Sequence, residues 1–498
     1  MKHVIVSIAL FFIGELYVQS QVIKGIVFLD TNENGIFDAG EAALQNIPIS
    51  NGRDIVLSNA KGAYSIECIK GNLIFLLKPS GYISKTDKNN IVQSYFTPSE
   101  SGTNTNFDFP LYKHAENDKV KVALLGDVQV DVMDDVFHVG KLVTEELMEN
   151  KPDFIMPLGD LSFDNLEIFN PLSQVLGLVE VPVFYVIGNH DLNFKETEFK
   201  DRDLSFETIF GPSYYSFEYG KNLFLILNDI YPLSNGKYTG KIDEDQLKFV
   251  KNLVAIKQQD YESINLAMHI PLEELENKEE LIALLQPFKN VFMACGHTHT
   301  QYHNYFKRDS LLDIHELVCG AVCGAWWQGT HDIRGIPFSM MNDGTLKGYW
   351  LVDIEDGAHT FNYKVSGSDS HKQINIWVPE VNEWDDALND LNEPYVYANV
   401  FAGDENTNVQ ISFDSGLYLP MEKYLGIAPE LKHFYKLQEL GRYQGQKLSK
   451  NPMPKTLSHH LWRIKIPDSL SKGAHSIKVK ASNSKLFLNV SGNRVLWI

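Results

Sequence analysis

Short apolar runs separated by Gly, Asn and Lys turns fill the first quarter of the chain. They include Val22–Leu29, Ala63–Glu67 and residues 72–77. Apolar runs of this length, bounded by turn residues, are typical of β-strands. We therefore predict a small β domain at residues 21–113, and the polar stretch at residues 114–119 is interpreted as a linker.

Beyond this linker the apolar runs alternate with segments of helical periodicity. The runs lie at residues 120–125, 154–158, 181–187, 223–227, 264–268 and 291–295. Between them, apolar residues recur at helical spacing in residues 134–149, 166–178, 243–259 and 272–285. Such alternation predicts a layered α/β domain, placed at residues 118–368. Short strands and turns return at residues 372–498 and predict a C-terminal β domain. In it, His459 and His460 are interpreted as surface or interface residues, with metal ligation as the alternative.

Five of the apolar runs in the middle domain are followed by polar clusters. The clusters contain Asp127 and Gln129, Asp160, Asn189 with His190 and Asp191, His269, and His297 with His299. Sites in α/β sheets form at the carboxyl ends of strands, so these side chains are expected at one sheet edge. Carboxylate, amide and imidazole ligands together suit Mn, Fe or Zn, and without a nearby Cys pair a structural zinc site is disfavoured. The sequence therefore predicts a metal site.

The order of these clusters resembles the signature of the calcineurin-like metallophosphoesterase family. That signature is Asp-x-His, Gly-Asp, Gly-Asn-His-Asp/Glu, a lone His and Gly-His-x-His, and the match spans about residues 120–350. The resemblance implies a central four-layer β-sandwich flanked by helices, with N- and C-terminal all-β domains. Gln129 stands where the family usually has His, which leaves open whether Gln129 binds metal directly and which metals bind.

The resemblance also implies roles for individual residues. Two divalent cations (Mn, Fe, Zn or Mg) would be held by Asp127, Gln129, Asp160, Asn189, His269, His297 and His299. Asp160 would bridge the cations, which would lower the pKa of a shared water so that hydroxide attacks phosphorus in line. His190 would assist the leaving oxygen, and Asp164 would orient the His190 ring.

A second stretch, CGAVCGAWW at residues 319–327, resembles one branch of the same family. In that branch the loop lies near the metals. Trp326 and Trp327 could contact an apolar or sugar part of the substrate. Packing of the two rings against the C-terminal β domain is the alternative interpretation.

The N-terminal domain contains a loop with the oxygen spacing of an EF-hand. Its six candidate calcium ligands are Asp30, Asn32, Asn34, Ile36 (through its carbonyl), Asp38 and Glu41. Because strands flank the loop, it resembles the calcium-binding B-type domains of serine-aspartate-repeat adhesins. A bound calcium ion would stiffen the domain. The alternative is a solvated turn without metal.

Charge and cysteine content narrow the function further. The chain has 498 residues, with 44 Lys and Arg against 64 Asp and Glu, which gives a formal net charge of −20. Such a surface repels polyphosphate backbones, so general nucleic-acid binding is not expected. Cys68, Cys295, Cys319 and Cys323 are too few for a disulfide framework and are interpreted as buried thiols, with a Cys319–Cys323 bridge left open.

The N-terminus has the pattern of a secretory signal peptide. Lys2 and His3 precede an apolar run at residues 4–14, and small and polar residues follow, which predicts a signal peptide at residues 1–20. No Cys follows the cleavage site, so a lipoprotein is not indicated, and no segment is expected to span a membrane. We therefore expect a secreted or periplasmic protein. A buried N-terminal strand is the alternative interpretation.

Together these observations predict an exported, metal-dependent phosphoesterase. Its expected partner is a small phosphorylated substrate or a phosphorylated envelope or glycan component. Monoester, diester and pyrophosphate hydrolysis share these motifs, so the sequence leaves the choice open, as it does the oligomeric state. The alternative is a cell-surface binding or adhesin-like protein whose catalytic centre has lapsed, an interpretation motivated by Gln129 and by the adhesin-like N-terminal domain.

Overall fold

A computed structural model describes residues 21–98, 105–196, 201–329, 331–381, 383, 386–441 and 456–498. The predicted signal peptide lies outside the described residues. Within them, no helix is long and apolar enough to cross a membrane.

The N-terminal part consists of two small sheets. Its strands are β1 (Val22–Leu29), β2 (Ala42–Ala43), β3 (Pro48–Ser50), β4 (Ile55–Leu57), β5 (Ala63–Glu67), β6 (Ile74–Leu76), β7 (Tyr82–Ile83), β8 (Tyr95–Phe96) and β9 (Phe109–Lys113). One sheet has the order β2-β1-β9-β7 with β5 paired to β1, and the other has the order β4-β3-β6-β8. In β5 the buried Tyr64 and Ile66 alternate with the exposed Ser65 and Glu67, the period-two pattern of a strand with one face in the core.

The middle part alternates strands and helices. In chain order its elements are β10 (Val120–Leu125), α1 (Met133–Val139), a π-helical segment (Gly140–Thr144), α2 (Glu145–Glu149), β11 (Phe154–Pro157), a 3-10 turn (Leu166–Ile168), α3 (Phe169–Gly177), a 3-10 turn (Asn189–Asp191), α4 (Leu204–Phe210), β12 (Tyr215–Tyr219), β13 (Asn222–Ile226), β14 (Ile230–Pro232), a 3-10 turn (Ser234–Gly236), β15 (Tyr238–Gly240), α5 (Glu244–Lys257), β16 (Ser263–Ala267), a 3-10 turn (Leu272–Glu274), α6 (Lys278–Leu284), β17 (Asn290–Cys295), β18 (Gln301–Phe306), β19 (Ile314–Cys319), β20 (Gly348–Glu355) and β21 (Ala358–Val365).

Two mixed sheets form the centre of this part. One has the order β11-β10-β20-β21, and the other has the order β12-β13-β16-β17-β19-β18. A shared apolar cluster includes Leu124 and Trp350 from the first sheet with Phe224 and Ala294 from the second. The opposite sheet faces pack against helices in a separate cluster. The predicted α/β class, with a two-sheet centre flanked by helices and by β domains, is confirmed.

Several predicted elements differ from the observed ones, and two of these differences have a clear physical reason. The apolar run at residues 181–187 forms isolated bridges, such as Val183 with Ile155, and not a regular strand. Pro182 within this run has no backbone N–H to donate to a ladder. The helix predicted at residues 134–149 changes to π-helical geometry from Gly140, and glycine is a weak helix former.

The C-terminal part is mainly β structure. Its elements are β22 (Ile374–Trp377), α7 (Asp386–Asn389), β23 (Tyr395–Val400), β24 (Asn408–Phe413), β25 (Leu419–Pro420), β26 (Glu422–Lys423), α8 (Pro429–Glu439), β27 (Leu461–Lys465), β28 (Ala474–Asn483) and β29 (Leu488–Trp497). The sheet orders are β22-β23-β27-β26 and β25-β24-β28-β29. Along β28 exposed and buried residues alternate strictly, as expected for a strand with one face in a core.

A buried hydrogen-bond network joins the C-terminal part to the middle part. His460 Nε2 lies 3.1 Å from Asp343 Oδ2, and His460 Nδ1 lies 2.7 Å from Asn399 Oδ1. Asp343 also accepts hydrogen bonds from the backbone N–H groups of Gln301 and Thr345. Burial favours a raised pKa for Asp343, but the hydrogen bond from His460 holds that pKa below its ordinary value. His460 is therefore an interface residue that supports the chain just after His299.

A buried ion pair fixes the linker between the N-terminal and middle parts. Lys78 Nζ lies 2.5 Å from Glu116 Oε1, and the two side chains are 3% and 2% exposed. Lys78 also donates to the Glu218 carbonyl at 2.6 Å. Glu116 Oε2 accepts from the backbone N–H groups of Gly81 and Gly220. One carboxylate therefore holds three chain segments together.

Glu116→Gln should destabilise the protein, because it leaves the Lys78 ammonium buried without its counter-charge. Loss of one partner of a buried pair costs about 3–5 kcal/mol of unfolding free energy. Urea unfolding followed by tryptophan fluorescence would measure the change. Glu180→Gln removes one partner of an exposed pair with Lys151 and should leave the curve unchanged. Urea unfolding curves that coincide for Glu116→Gln and Glu180→Gln would contradict this account of the linker.

Candidate metal centre

The loops that follow the strand ends bring the predicted ligands together. Asp160 follows β11, His269 follows β16 and His297 follows β17. One ligand atom from each of these three residues lies within 4.8 Å of the other two. Asp160 and His269 are buried and His297 is half-buried, so water competes little for these ligand atoms.

The His269 ring presents one nitrogen to this cluster. Its Nδ1 lies 2.8 Å from the Leu158 carbonyl, to which it must donate a proton. The other nitrogen, Nε2, lies 3.1 Å from Asn189 Oδ1, 3.2 Å from Asp160 Oδ1 and 3.3 Å from His297 Nδ1. An oxygen of Asn189 offers no proton to Nε2. Four electron-pair donors that converge in this way fit a cation.

Asp127 and His299 form a second group of donors. Asp127 Oδ2 accepts the His297 backbone N–H at 2.8 Å, whereas Asp127 Oδ1 is buried and has no hydrogen-bond partner in the part of the chain that the structure describes. His299 Nδ1 lies 2.5 Å from the Gly324 carbonyl, and His299 Nε2 lies 3.6 Å from Asp127 Oδ1. A buried carboxylate oxygen left open beside an imidazole nitrogen also fits a cation.

Gln129 lies within this second group but presents its amide nitrogen. Gln129 Nε2 donates to Asp160 Oδ2 at 2.9 Å, and Gln129 Oε1 faces Cys323 Sγ at 3.9 Å. Direct metal binding by Gln129 requires a half-turn of the amide that brings Oε1 to the Asp160 side. The position of Gln129 is compatible with ligation, whereas its present rotamer is that of a positioning residue.

Backbone strain is concentrated at these residues. Five of the seven predicted ligands have φ in the left-handed region, a conformation that is uncommon outside glycine. They are Asp127 (35°), Gln129 (38°), Asp160 (48°), His297 (72°) and His299 (52°). Such strain persists only where the surrounding structure fixes it, and it is typical of functional sites.

Glycines next to the ligands allow the loops to approach closely. A Cβ on Gly188 would lie 2.0 Å from the Asp160 backbone nitrogen, and a Cβ on Gly159 would lie 2.5 Å from His269 Nδ1. Gly159 also has a φ of 85°. The Gly in the Gly-Asp and Gly-Asn-His-Asp clusters is therefore a steric requirement of the site.

The charge of the site suits metal binding at neutral pH. Burial, assisted by the nearby His269, lowers the pKa of His297 to about 3, and burial lowers the pKa of His299 to about 4. Both rings are therefore neutral at pH 7 and keep an electron pair for a metal. Burial would also lower the pKa of His269, but Asp160 and Asp127 raise it to about 10. A proton on His269 Nε2 therefore takes the place that a cation would occupy.

The predicted pair of His190 and Asp164 is formed. His190 Nδ1 lies 2.7 Å from Asp164 Oδ1, and His190 Nε2 lies 4.0 Å from Asp160 Oδ2. The His190 side chain is 25% exposed, so part of the ring is open to solvent. Asp164 has a φ of 70°, which indicates that its backbone is held in place to reach the ring.

Two buried carboxylates that support the site were not predicted. Asp191 accepts the backbone N–H groups of Gly188, Leu161 and Ser162, and so connects the His190 loop to the Asp160 loop. Asp229 accepts the backbone N–H groups of His269 and Ile270, which fixes the His269 loop. Asp229 stands shortly after β13, and this strand-end position is the signal that could have found it.

Residues of the CGAVCGAWW stretch lie next to Gln129 and His299. All four cysteines of the chain are free thiols, and Cys323 is buried beside Gln129. Trp327 donates its Nε1–H to the Val128 carbonyl at 2.9 Å and packs against His138. Trp326 lies 5.3 Å from the His299 ring and also packs on an apolar cluster that includes residues of α8. Trp327 thus supports the Asp127 loop, whereas Trp326 lies at the ligands themselves.

The predicted calcium loop connects β1 and β2. Asp30 is 2% exposed; its Oδ2 accepts the Gly35 N–H at 2.7 Å, and its Oδ1 is buried and has no partner among the described residues. Asp38 Oδ2 accepts from the side-chain amides of Asn32 and Asn34. Glu41 accepts the backbone N–H groups of Thr31 and Asp38, so its carboxylate closes the loop. The open Asp30 oxygen beside other acidic groups fits a cation.

Comparison with known families identifies the chain. A model described as N terminal of calcineurin-like phosphoesterase matches residues 30–114, and one described as calcineurin-like phosphoesterase matches residues 120–301. A third, described as C terminal of calcineurin-like phosphoesterase, matches residues 316–485. The chain belongs to the calcineurin-like phosphoesterase family, and it is accordingly a metal-dependent hydrolase of phosphate esters. A search of curated proteins found no match.

Solved structures show more distant likenesses. A dimetal phosphatase from Danio rerio is 14% identical, with a TM-score of 0.36, over 50% of this chain and 99% of that one. β-Glucuronidase 3 from Bacteroides uniformis is 10% identical, with a TM-score of 0.20, over 96% of this chain and 63% of that one. TM-scores this low do not bear on the function of this chain.

Proposed function

We propose that this protein is an exported phosphoesterase that hydrolyses phosphate mono- or diesters at a dinuclear metal centre. The observation that carries the proposal is the convergence of Asp160, His269 and His297 on one point, next to the open, buried oxygen of Asp127. The proposed substrate is a small phosphorylated molecule or a phosphorylated envelope or glycan component. The proposed domain limits are residues 21–113, 118–368 and 372–498, after a signal peptide at residues 1–20.

The donors divide into two sets around Asp160. Asn189, His269 and His297 would hold one cation, and Asp127, Gln129 and His299 would hold the other. Bound divalent cations would supply neutralisation of phosphoryl charge and a water of lowered pKa. The Leu158 and Gly324 carbonyls hold the Nδ1 protons of His269 and His299, which leaves each Nε2 free to bind metal.

His190 would act on the leaving oxygen. Asp164 accepts the Nδ1–H of His190, which orients Nε2 toward the Asp160 side of the cleft. A protonated Nε2 can donate to an ester oxygen that gains charge as its bond to phosphorus breaks. His190 is thus the proposed proton donor, and Asp164 its positioning residue.

Metal analysis combined with activity tests this function. The purified protein should contain two transition-metal or magnesium equivalents in its middle domain. It should hydrolyse p-nitrophenyl phosphate or bis(p-nitrophenyl) phosphate with Mn, Fe, Zn or Mg. Hydrolysis of neither ester with any of these metals, in protein that contains no such metal, would support the lapsed binding protein.

We also propose that the Asp30–Glu41 loop binds a structural calcium ion. The support is the EF-hand spacing, the open Asp30 oxygen and the hydrogen bond from Gly35 to Asp30, which closes the turn around the expected site. The hydrogen bonds from Asn32 and Asn34 hold the pKa of Asp38 below its ordinary value, against the repulsion from Asp30. Calcium would neutralise that repulsion.

Calcium should raise the melting temperature of the transition in which residues 21–113 unfold, measured in the full chain. A ligand at ten times its Kd adds about 1.4 kcal/mol, and a domain of roughly 60–100 residues gains roughly 4–8 °C per kcal/mol. Calorimetry with millimolar calcium and then with chelator would measure the shift. Asp30→Ala with Glu41→Ala should abolish it, while Glu33→Gln, which alters a non-ligand position of the same loop, should retain it. If calcium left the melting temperature unchanged, the loop would be a turn that binds no metal.

A further inference from the structure

An aromatic surface lies beside the proposed proton donor. It consists of Phe163 and Trp326, which we call the aromatic wall. The Phe163 ring stacks on the His190 ring, with centroids 4.8 Å apart and an interplanar angle of 27°. The Trp326 ring meets Phe163 edge-on at 6.4 Å and lies 5.3 Å from the His299 ring. The wall thus runs from the proton donor to a predicted metal ligand.

The two rings are held in place differently. Trp326 has a φ of 63°, an outlier for a bulky residue, and it packs on the cluster of Ala325, Ala428 and Leu431. Packing against the C-terminal part maintains this strained backbone conformation, so the Trp326 ring is held rigidly in place. Phe163 is 39% exposed, although a large apolar ring is usually buried. Phe163 therefore leaves part of its apolar ring open to solvent next to His190.

The position of Phe163 next to His190 places its ring on the leaving-group side of the substrate. His190 Nε2 lies 4.0 Å from the predicted bridging carboxylate of Asp160, so an ester oxygen that accepts its proton must lie close to this point. The group attached to that oxygen extends past the His190 ring, and Phe163 covers one face of that ring. Aromatic faces favour flat partners by stacking, by more than their buried area alone provides.

We infer that the aromatic wall selects phosphate esters whose leaving group is a planar aromatic ring, with Phe163 as the specificity-determining residue. This inference rests on the proposed function, because it assigns the leaving-group side of the same centre. It adds to that function a substrate class, the aryl esters, and a residue that the sequence did not indicate.

The test compares two esters in the wild type and in Phe163→Ala. One is a phenyl ester and the other a 2,2,2-trifluoroethyl ester, each used as the mono- or diester that the wild type hydrolyses. Each ester serves as its own reference, so differences in intrinsic reactivity cancel. The variant should lose roughly threefold to tenfold in kcat/KM on the phenyl ester, mainly through KM, and little on the trifluoroethyl ester. Phe163→Tyr should restore the phenyl preference and Phe163→Leu should not.

Other outcomes distinguish a failure of this inference from a failure of the proposed function. An equal loss on both esters would show that Phe163 only holds the His190 ring in place, and this would overturn the inference. A wild type that hydrolyses neither these esters nor the p-nitrophenyl esters overturns the proposed function and the inference with it. Phe137→Ala, which removes an exposed ring on α1, is the matched control and should not change the ratio of the two esters.

Discussion

Asp160→Asn should abolish turnover and lower the metal content of the purified protein. Asp160 offers one oxygen to His269 and the other to the Gln129 amide, so it stands between the two donor sets. Asparagine has the same shape but only one oxygen and no charge, so it cannot bridge two cations. Metal ions supply several kcal/mol of transition-state stabilisation, and turnover should fall on the order of a thousandfold or more.

The fold should survive this substitution, because Asp160 lies in a loop after β11. Circular dichroism and the melting temperature would verify this, and metal analysis would count the bound ions. Asp134→Asn changes an exposed carboxylate on α1 of the same domain and should retain both metal and activity. Activity near that of the wild type in Asp160→Asn would exclude Asp160 as the bridging ligand.

His190→Ala should lower kcat by about 10²- to 10⁴-fold, the usual size of a general acid–base contribution. Metal content should stay intact, because the Asp160 carboxylate is contacted by the His190 backbone N–H, which alanine keeps. The loss should shrink for an ester with a very good leaving group, which departs without a proton. Steady-state kinetics on aryl esters of graded leaving-group pKa would show this dependence.

Two further variants sharpen the assignment of His190. Asp164→Asn should lose less than His190→Ala, and the double variant should lose no more than His190→Ala alone, because Asp164 acts through the ring. His371→Ala, which removes a fully solvated histidine, should not change kcat. Equal losses on good and poor leaving groups would argue against proton donation by His190.

The sequence predicted the α/β class and most of the elements because hydrophobic periodicity reports local geometry. The run at residues 181–187 is an exception, because Pro182 cannot extend a ladder and the residues contact two other segments through single bridges. The gathering of Asp160, His269 and His297 was predictable only in part. His269 and His297 follow the neighbouring strands β16 and β17, so they meet at the edge of one sheet as expected, whereas Asp160 follows β11 of the other sheet. The ligands therefore come from two packed sheets and not from one sheet edge, because the packing of the two sheets is not encoded in local periodicity.

Features that depend on the packing of distant loops were not predictable. Phe163 lies in a polar loop, and no local pattern indicates that its ring stacks on His190. His460 finds its partner Asp343 across 117 residues of chain. The rotamer of Gln129, which turns its amide nitrogen toward Asp160, depends on the carboxylate and on Cys323 together. Such contacts arise only when the whole fold is assembled.

Anomalous diffraction from crystals of the full chain grown with manganese tests the dinuclear centre most directly. Two peaks should appear on either side of the Asp160 carboxylate, about 3.5–4 Å apart, as in two-metal hydrolases. One should lie next to His269 Nε2 and the other between Asp127 Oδ1 and His299 Nε2. No peak at Asp160, or a peak only at the Asp30–Glu41 loop, would contradict the assignment of the metal centre.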